Sequence, residues 1–188
     1  MSKKVSFVIP TKNEASTIGQ VIRQIKDVCA HNEIQIHEIV LTDDSTDDTR
    51  KIASENGARV VVGGGKGLGT AMLKGLKSAA RSNPDLIISI DADGQVDLNE
   101  IPVFIEAKDR ERADLVLGSR FKEKGLIDYK YRFINRFGTI VLSWILRRFT
   151  KLPLTDSHGG IRAVTPDVVR ELELLGTHHC PRSIMGSG

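Results

Sequence analysis

The sequence predicts an α/β fold: a mostly parallel central sheet with helices on both faces. Three observations lead there. Short apolar runs alternate with stretches of helical periodicity. Several of the runs are apolar throughout, as strands covered on both faces are. Each run also ends in a polar cluster, and in such sheets ligands bind outside the carboxyl ends of the strands, where the strand order switches.

The elements follow in order. "VSFVI" (5–9) is a β-branched run stopped by Pro10. From Ser16 the period changes, with Ile18, Val21, Ile22, Ile25, Val28 and Cys29 at helical spacing. "HEIVL" (37–41) is a strand, and "STDDTRKIASENG" a capped helix closed by Gly57. "ARVVV" (58–62) is the third strand, Leu68–Arg81 a helix and "DLIISI" the fourth strand. A helix over Asn99–Lys108 is entered through Leu98 and Pro102, and "DLVLG" (114–118) is the fifth strand. Residues 129–149 read as one long helix, followed by a weak strand near Ile161–Val164 and a helix after Pro166.

The 188 residues suffice for one domain with a real core. Hydrophobic content of 40% and charged content of 27% are ordinary for a globular chain. A net charge of +3 is mild and gives no argument for nucleic acid. Two cysteines are too few for a disulfide framework, so a reducing, cytoplasmic compartment is expected. The N-terminus falls far short of a signal peptide, and no run of 18 apolar residues is present. Residues 1–176 are expected to form the catalytic domain and 177–188 a tail, either a truncation point or a cloning remnant. His178 and His179 beside Cys180 lack the spacing of a zinc site.

"PTKNEA", "TDDSTDD", "GGGKGLGT", "DADGQ" and "GSR" follow strands one to five, so all five fall on one rim. Asp91, Asp93 and Gln95 are oxygen donors at alternate positions. In an extended segment they would point to one side, as hard ligands for Mg²⁺ or Mn²⁺. The plainer reading is an acidic first helical turn. "GGGKGLGT" fails both the P-loop pattern and the dinucleotide fingerprint. Its backbone amides and Lys66 can still hold a diphosphate, or the segment is a simple strand-to-helix junction. Ser45 and Asp47 suit a helix start, while Asp43 is placed to accept from a nucleobase or ribose.

In order, "VIPTKNEASTIG", "VLTDDSTDDT", "GLGTAMLKG", "DADGQVDLNEIP", "LVLGSRF" and "LPLTDSHGGIRA" resemble the motifs of the family-2 glycosyltransferases, nearest to the polyprenyl-phosphate (dolichol-phosphate) mannose and glucose synthase type. The resemblance covers roughly residues 5–175. It implies a single GT-A-type, Rossmann-like nucleotide-sugar-binding domain. Pro10, Thr11, Asn13, Glu14 and Asp43 would meet the base and ribose, with Lys66, Gly69 and Ala92 also on the donor. Asp91 and Asp93 would hold the metal, Gln95 being the third ligand. Arg120, Arg132, Asn135, Arg136 and Arg162 would face the acceptor phosphate, Arg120 also acting in catalysis. Thr42, Asp48 and the stretch His158–Gly160 depart from the family pattern.

The acceptor follows from charge. A phosphate monoester is anionic at neutral pH and needs cations rather than a base, whereas a sugar hydroxyl needs a carboxylate. Arginines abound after "GSR" and only Asp156 stands out as a base, which favours polyprenyl phosphate. Over residues 129–149 an apolar stripe (Phe133, Phe137, Ile140, Val141, Trp144, Ile145) faces a basic remainder, which suits either a membrane surface or a core-packed helix. The function expected is a metal-dependent inverting transfer of a hexose from UDP-glucose or GDP-mannose to polyprenyl phosphate, peripheral on the cytoplasmic membrane face. Rival readings are a transferase acting on a soluble glycan or protein hydroxyl, a nucleotidyltransferase, and a receiver-like binding module.

Overall fold

The structure, a computed structural model, describes residues 3–118 and 160–177. The elements are β1 (Lys4–Thr11), α1 (Ile18–His31), β2 (Gln35–Asp43), α2 (Thr49–Glu55), β3 (Arg59–Val62), α3 (Leu68–Ala80), β4 (Leu86–Ile90), a 3₁₀ turn (Leu98–Glu100), α4 (Ile101–Glu111), β5 (Leu115–Leu117), β6 (Ile161–Val164) and α5 (Pro166–Thr177). The long helix expected over 129–149 lies outside the described residues, as do Arg120, Arg132, Asn135 and Arg136. No helix among the described residues is long and apolar enough to cross a membrane.

The strands form one sheet in the order β3-β2-β1-β4-β6-β5. β1 to β4 are mutually parallel, and β6 runs antiparallel to both β4 and β5. The expected mostly parallel α/β architecture is what the chain adopts, with the weak strand at 161–164 inserted in reverse between β4 and β5. Two reversals leave β5 pointing with β4, so the ends of strands one to five share a rim.

Side-chain alternation sends each strand's residues to two different layers. Phe7, Ile9, Leu41, Ile88 and Ile90 pack with α1, α2 and α4. Val8, Val40, Ile87 and Val164 pack with Ala79 and Ala80 of α3 and Val169 of α5. The stripe read from the sequence docks α1: Ile18, Val21, Ile22, Ile25 and Cys29 are buried. Each such large aliphatic side chain contributes roughly 1.5–3 kcal/mol. Burial pushes the Cys29 thiol up to about 11, leaving it inert at neutral pH.

Pro10 does not stop β1, which runs on to Thr11. Asp44 N–H donates to the Thr11 carbonyl, so the polar groups of Thr11 face β2. Those of Pro10, one residue earlier, then face β4, where the ladder has already ended at Val8. No hydrogen bond is lost where proline lacks its donor.

Candidate active site

β1 has β2 on one side and β4 on the other, so the strand order switches direction between β1 and β4. A cavity of about 350 Å³ opens at the carboxyl ends of these two strands. Pro10, Thr11, Lys12 and Glu14 form its β1 wall, and Asp91, Ala92 and Asp93 its β4 wall. Asp44 closes it from β2, and Gly65, Gly67, Leu68 and Ala71 from the glycine-rich turn and α3. A second cleft, about 440 Å³, lies between α1 and the turn after β4, so Asp93 stands between two hollows.

The turn after β4 brings Asp91 and Asp93 to the same cavity, though not by strand alternation. The segment is not extended: it bends at Gly94, whose φ is 72°. The Gln95 N–H donates to Asp93 Oδ1 at 2.9 Å, an Asx turn that orients the carboxylate. That bend leaves Gln95 exposed and outside the cavity lining. Asp91 keeps 34% of its side chain exposed. Among the described residues no three His, Cys, Asp or Glu side chains gather as a metal cluster, so the protein offers a pair of carboxylates here.

The acidic pair after β2 behaves differently. β2 extends to Asp43, two residues past the strand end read from the sequence. Parity then turns Asp43 and Asp44 to opposite faces. Asp43 is fully buried and accepts from Thr11 Oγ1 at 2.6 Å, Ser45 N at 2.9 Å, Arg50 Nε at 2.5 Å and the Ser45 hydroxyl. Burial pushes this carboxyl up, but the hydrogen bonds from Ser45, Thr11 and Arg50 outweigh it and hold it below its ordinary value. Expected to reach a base or ribose, Asp43 is instead enclosed by protein donors and absent from the lining.

Asp44 occupies the place read for its neighbour. Its Oδ1 accepts from the N–H groups of Gly64 at 2.7 Å and Gly65 at 2.9 Å. Those glycines sit at φ 102° and 70°, in the left-handed region that other residues avoid. Two amides of the glycine-rich turn are therefore taken by Asp44 and do not point at a ligand. Lys66 is exposed and outside the lining, and so is Gly69. The anion-binding feature on that wall is the start of α3, where Gly67 and Leu68 line the cavity and no side chain caps the helix.

The β1 loop is braced against the β2 loop. Asn13, at φ 60°, donates its N–H to Ser45 Oγ at 2.7 Å, and its Oδ1 accepts from Thr46 N at 3.0 Å, so its side chain is used internally. The Glu14 N–H donates to Thr49 Oγ1 at 2.9 Å, while Asp47 Oδ1 accepts the Thr49 N–H at 3.0 Å and secures the start of α2. Of the residues read for the donor, the structure brings Pro10, Thr11, Glu14, Asp91, Ala92 and Asp93 together. Lys12, Asp44 and Leu68 join them without having been singled out.

The sequence profile described as "Glycosyl transferase family 2" matches residues 6–172. The chain belongs to that family. The low-salt glycan biosynthesis hexosyltransferase Agl6 of Haloferax volcanii is 33% identical over 174 residues, covering 92% of this chain and 41% of that protein. A UDP-N-acetylglucosamine–dolichyl-phosphate N-acetylglucosaminyltransferase of Methanococcus voltae is 28% identical over 189 residues, 90% of this chain and 72% of that one. Glucosyl-3-phosphoglycerate synthase of Mycobacterium tuberculosis, crystallised with Mn²⁺, UDP and phosphoglyceric acid, superposes with a TM-score of 0.66 at 23% identity, over 88% of this chain and 57% of that one. The fold is therefore that of the GT-A glycosyltransferases. This family-2 chain spans about two fifths of the length of its Haloferax relative.

Within the family block "TDSHGGIRA", Gly160 holds its place for a steric reason. A Cβ there would stand 2.4 Å from Val96 Cγ2, and the Gly160 carbonyl accepts the Asp91 N–H at 3.1 Å. Arg162, two residues on, brings its Nη1 to 3.8 Å from Asp91 Oδ1. Thr42, where the family pattern has an acid, is buried with its hydroxyl unpaired and adds nothing to the cavity surface.

Proposed function

We propose that the chain is a metal-dependent inverting glycosyltransferase that moves a hexose from a nucleotide sugar, UDP-glucose or GDP-mannose, to polyprenyl or dolichyl phosphate. One observation carries this reading: Asp91 and Asp93 face the start of α3 across a cavity at the switch point of the sheet. Hard oxygen donors suit Mg²⁺ or Mn²⁺, and two carboxylates leave coordination positions for phosphate oxygens and water. Bound there, the metal would supply Lewis-acid neutralisation of the charge that grows on the departing nucleoside diphosphate.

The chain's own residues supply the rest. The open amides at the start of α3 favour the diphosphate, and the helix dipole adds to that attraction. Pro10, Thr11 and Glu14 offer a shelf for the nucleoside, on a loop fixed from behind by Ser45 and Thr49. Preorganised groups of this kind stabilise the transition state without rearranging during the reaction. A Mycobacterium fold neighbour crystallised with Mn²⁺ and UDP supports the donor side. A Methanococcus relative named for dolichyl phosphate supports the acceptor side, as do the arginines after "GSR". An acceptor of that kind calls for a peripheral position on the cytoplasmic membrane face.

The experiment offers labelled UDP-glucose and GDP-mannose to the chain, with polyprenyl phosphate or a panel of sugar acceptors, with Mn²⁺ or chelator. Metal-dependent label in the lipid phase is expected. Transfer only to sugar hydroxyls would move the assignment to a glycan or protein acceptor, and undiminished transfer in chelator would overturn the metal reading.

A further inference from the structure

Arg162 sits on β6 in register with Ser89 of β4, two residues before Asp91. Paired residues of an antiparallel ladder share a face, so the arginine is delivered beside the metal-binding turn. Its Nη1 lies 3.8 Å from Asp91 Oδ1, within ion-pair range and beyond a hydrogen bond. That same Nη1 is buried and donates to nothing. This N–H is a donor withdrawn from water without an acceptor. Native structures hold few such groups, and each calls for a reason. The frame offers no relief, because the Gly160 carbonyl at the start of β6 accepts the Asp91 N–H at 3.1 Å and ties the two backbones together.

We infer that Arg162 is the counter-cation of Asp91 in the metal-free site and a phosphate-binding residue in the loaded one. The inference rests on the reading of Asp91 as a metal ligand. A divalent cation on Asp91 takes over the charge that the guanidinium balances, and two cations a few ångströms apart repel. The backbone of Arg162 is fixed in β6, which keeps the guanidinium within reach of the site. Its idle N–H then meets a phosphate oxygen arriving with the metal, for which the planar guanidinium fork is matched. That oxygen belongs either to the donor diphosphate or to a phosphate monoester acceptor; the chemistry is the same. Arg162 thus weakens metal binding alone and favours metal and phosphate together, so each tightens the binding of the other.

The test is a Mn²⁺ titration of the 188-residue chain, following the spin resonance of free Mn²⁺, for the native chain, Arg162→Gln and Arg162→Lys. Removing the neighbouring charge in Arg162→Gln is expected to tighten Mn²⁺ alone about fivefold, while Arg162→Lys stays within about twofold. With Mn²⁺ saturating, both variants are expected to lose about threefold to tenfold in affinity for a phosphate ligand, because neither has the fork. UDP and GDP form one arm and a short-chain isoprenyl phosphate the other; the arm that loses affinity identifies the phosphate. Mn²⁺ affinity unchanged or weakened in Arg162→Gln overturns the counter-cation role. Phosphate affinity unchanged in both arms for Arg162→Lys overturns the hand-over, even if the glutamine variant fails to fold. A native chain that binds no Mn²⁺ overturns the metal reading itself, before any variant is compared.

Discussion

Two acidic pairs end neighbouring regions of the same sheet, and the protein treats them in opposite ways. Asp43 ends β2 with Asp44 next to it, and Asp91 and Asp93 follow β4. Protein donors hold the first pair: Asp43 is enclosed by Thr11, Ser45 and Arg50, and Asp44, at the cavity wall, accepts from the amides of Gly64 and Gly65. The second pair opens on the cavity, and the Gln95 N–H orients Asp93. Carboxylates enclosed by protein donors stabilise; a pair that faces an open cavity is within reach of a cation. Substitutions after β4 should therefore remove activity and spare stability, and those after β2 the reverse.

The largest effect is expected at Asp93. Asp93→Asn should lower metal-dependent sugar transfer by about 10³-fold, roughly 4 kcal/mol of barrier, with the thermal unfolding midpoint unchanged. Loss of folding in this variant would erase the contrast between the pairs.

Asp43→Ala comes next and should act through stability. It strips acceptors from Thr11, Ser45 and Arg50, at a cost of about 3 kcal/mol in denaturant unfolding. The pH dependence follows from the same contacts. Because the folded carboxyl is held below its ordinary value, its contribution is present above the unfolded pKa and is lost as pH falls through the depressed one. Stability measured from neutral pH downward should drop across the carboxylate range in the native chain, and more shallowly in Asp43→Asn.

Gly160→Ala should cost about 2 kcal/mol, since the new methyl meets Val96 and displaces the strand that holds Asp91. Chemical denaturation measures the loss. The smallest effect falls at Asp44, where alanine removes the acceptor of two exposed amides and about 1 kcal/mol. Nucleotide affinity should weaken only a few-fold as the glycine-rich turn loosens, which calorimetry resolves.

Much of this was legible in the residues. The apolar runs at 5–9 and 86–90 announced central strands, and the polar clusters beyond them converge on one rim because β1 to β4 run in parallel. The direction of β6 was not legible: a four-residue strand has no intrinsic polarity in its pattern, so nothing in Ile161–Val164 says which way it enters the sheet. The exchange of Asp43 for Asp44 came from the end of the strand. With β2 closed at Leu41 both acids belong to a loop; with β2 carried to Asp43, parity alone buries one and turns the other, half-buried, to the cavity. Gln95 is a similar case, since the alternation invoked for it holds in a strand and fails in the Asx turn that Gly94 permits. The closeness of Arg162 to Asp91 depends on β6 lying next to β4, a pairing between residues 71 positions apart that no local pattern encodes.

The most direct test of the contrast is calorimetric binding of UDP and GDP to the native chain with Mn²⁺ and with chelator. If the carboxylates after β4 grip the diphosphate through a divalent cation, one of the two nucleotides binds with Mn²⁺ and at least tenfold more weakly in chelator. Equal affinity under both conditions would contradict it.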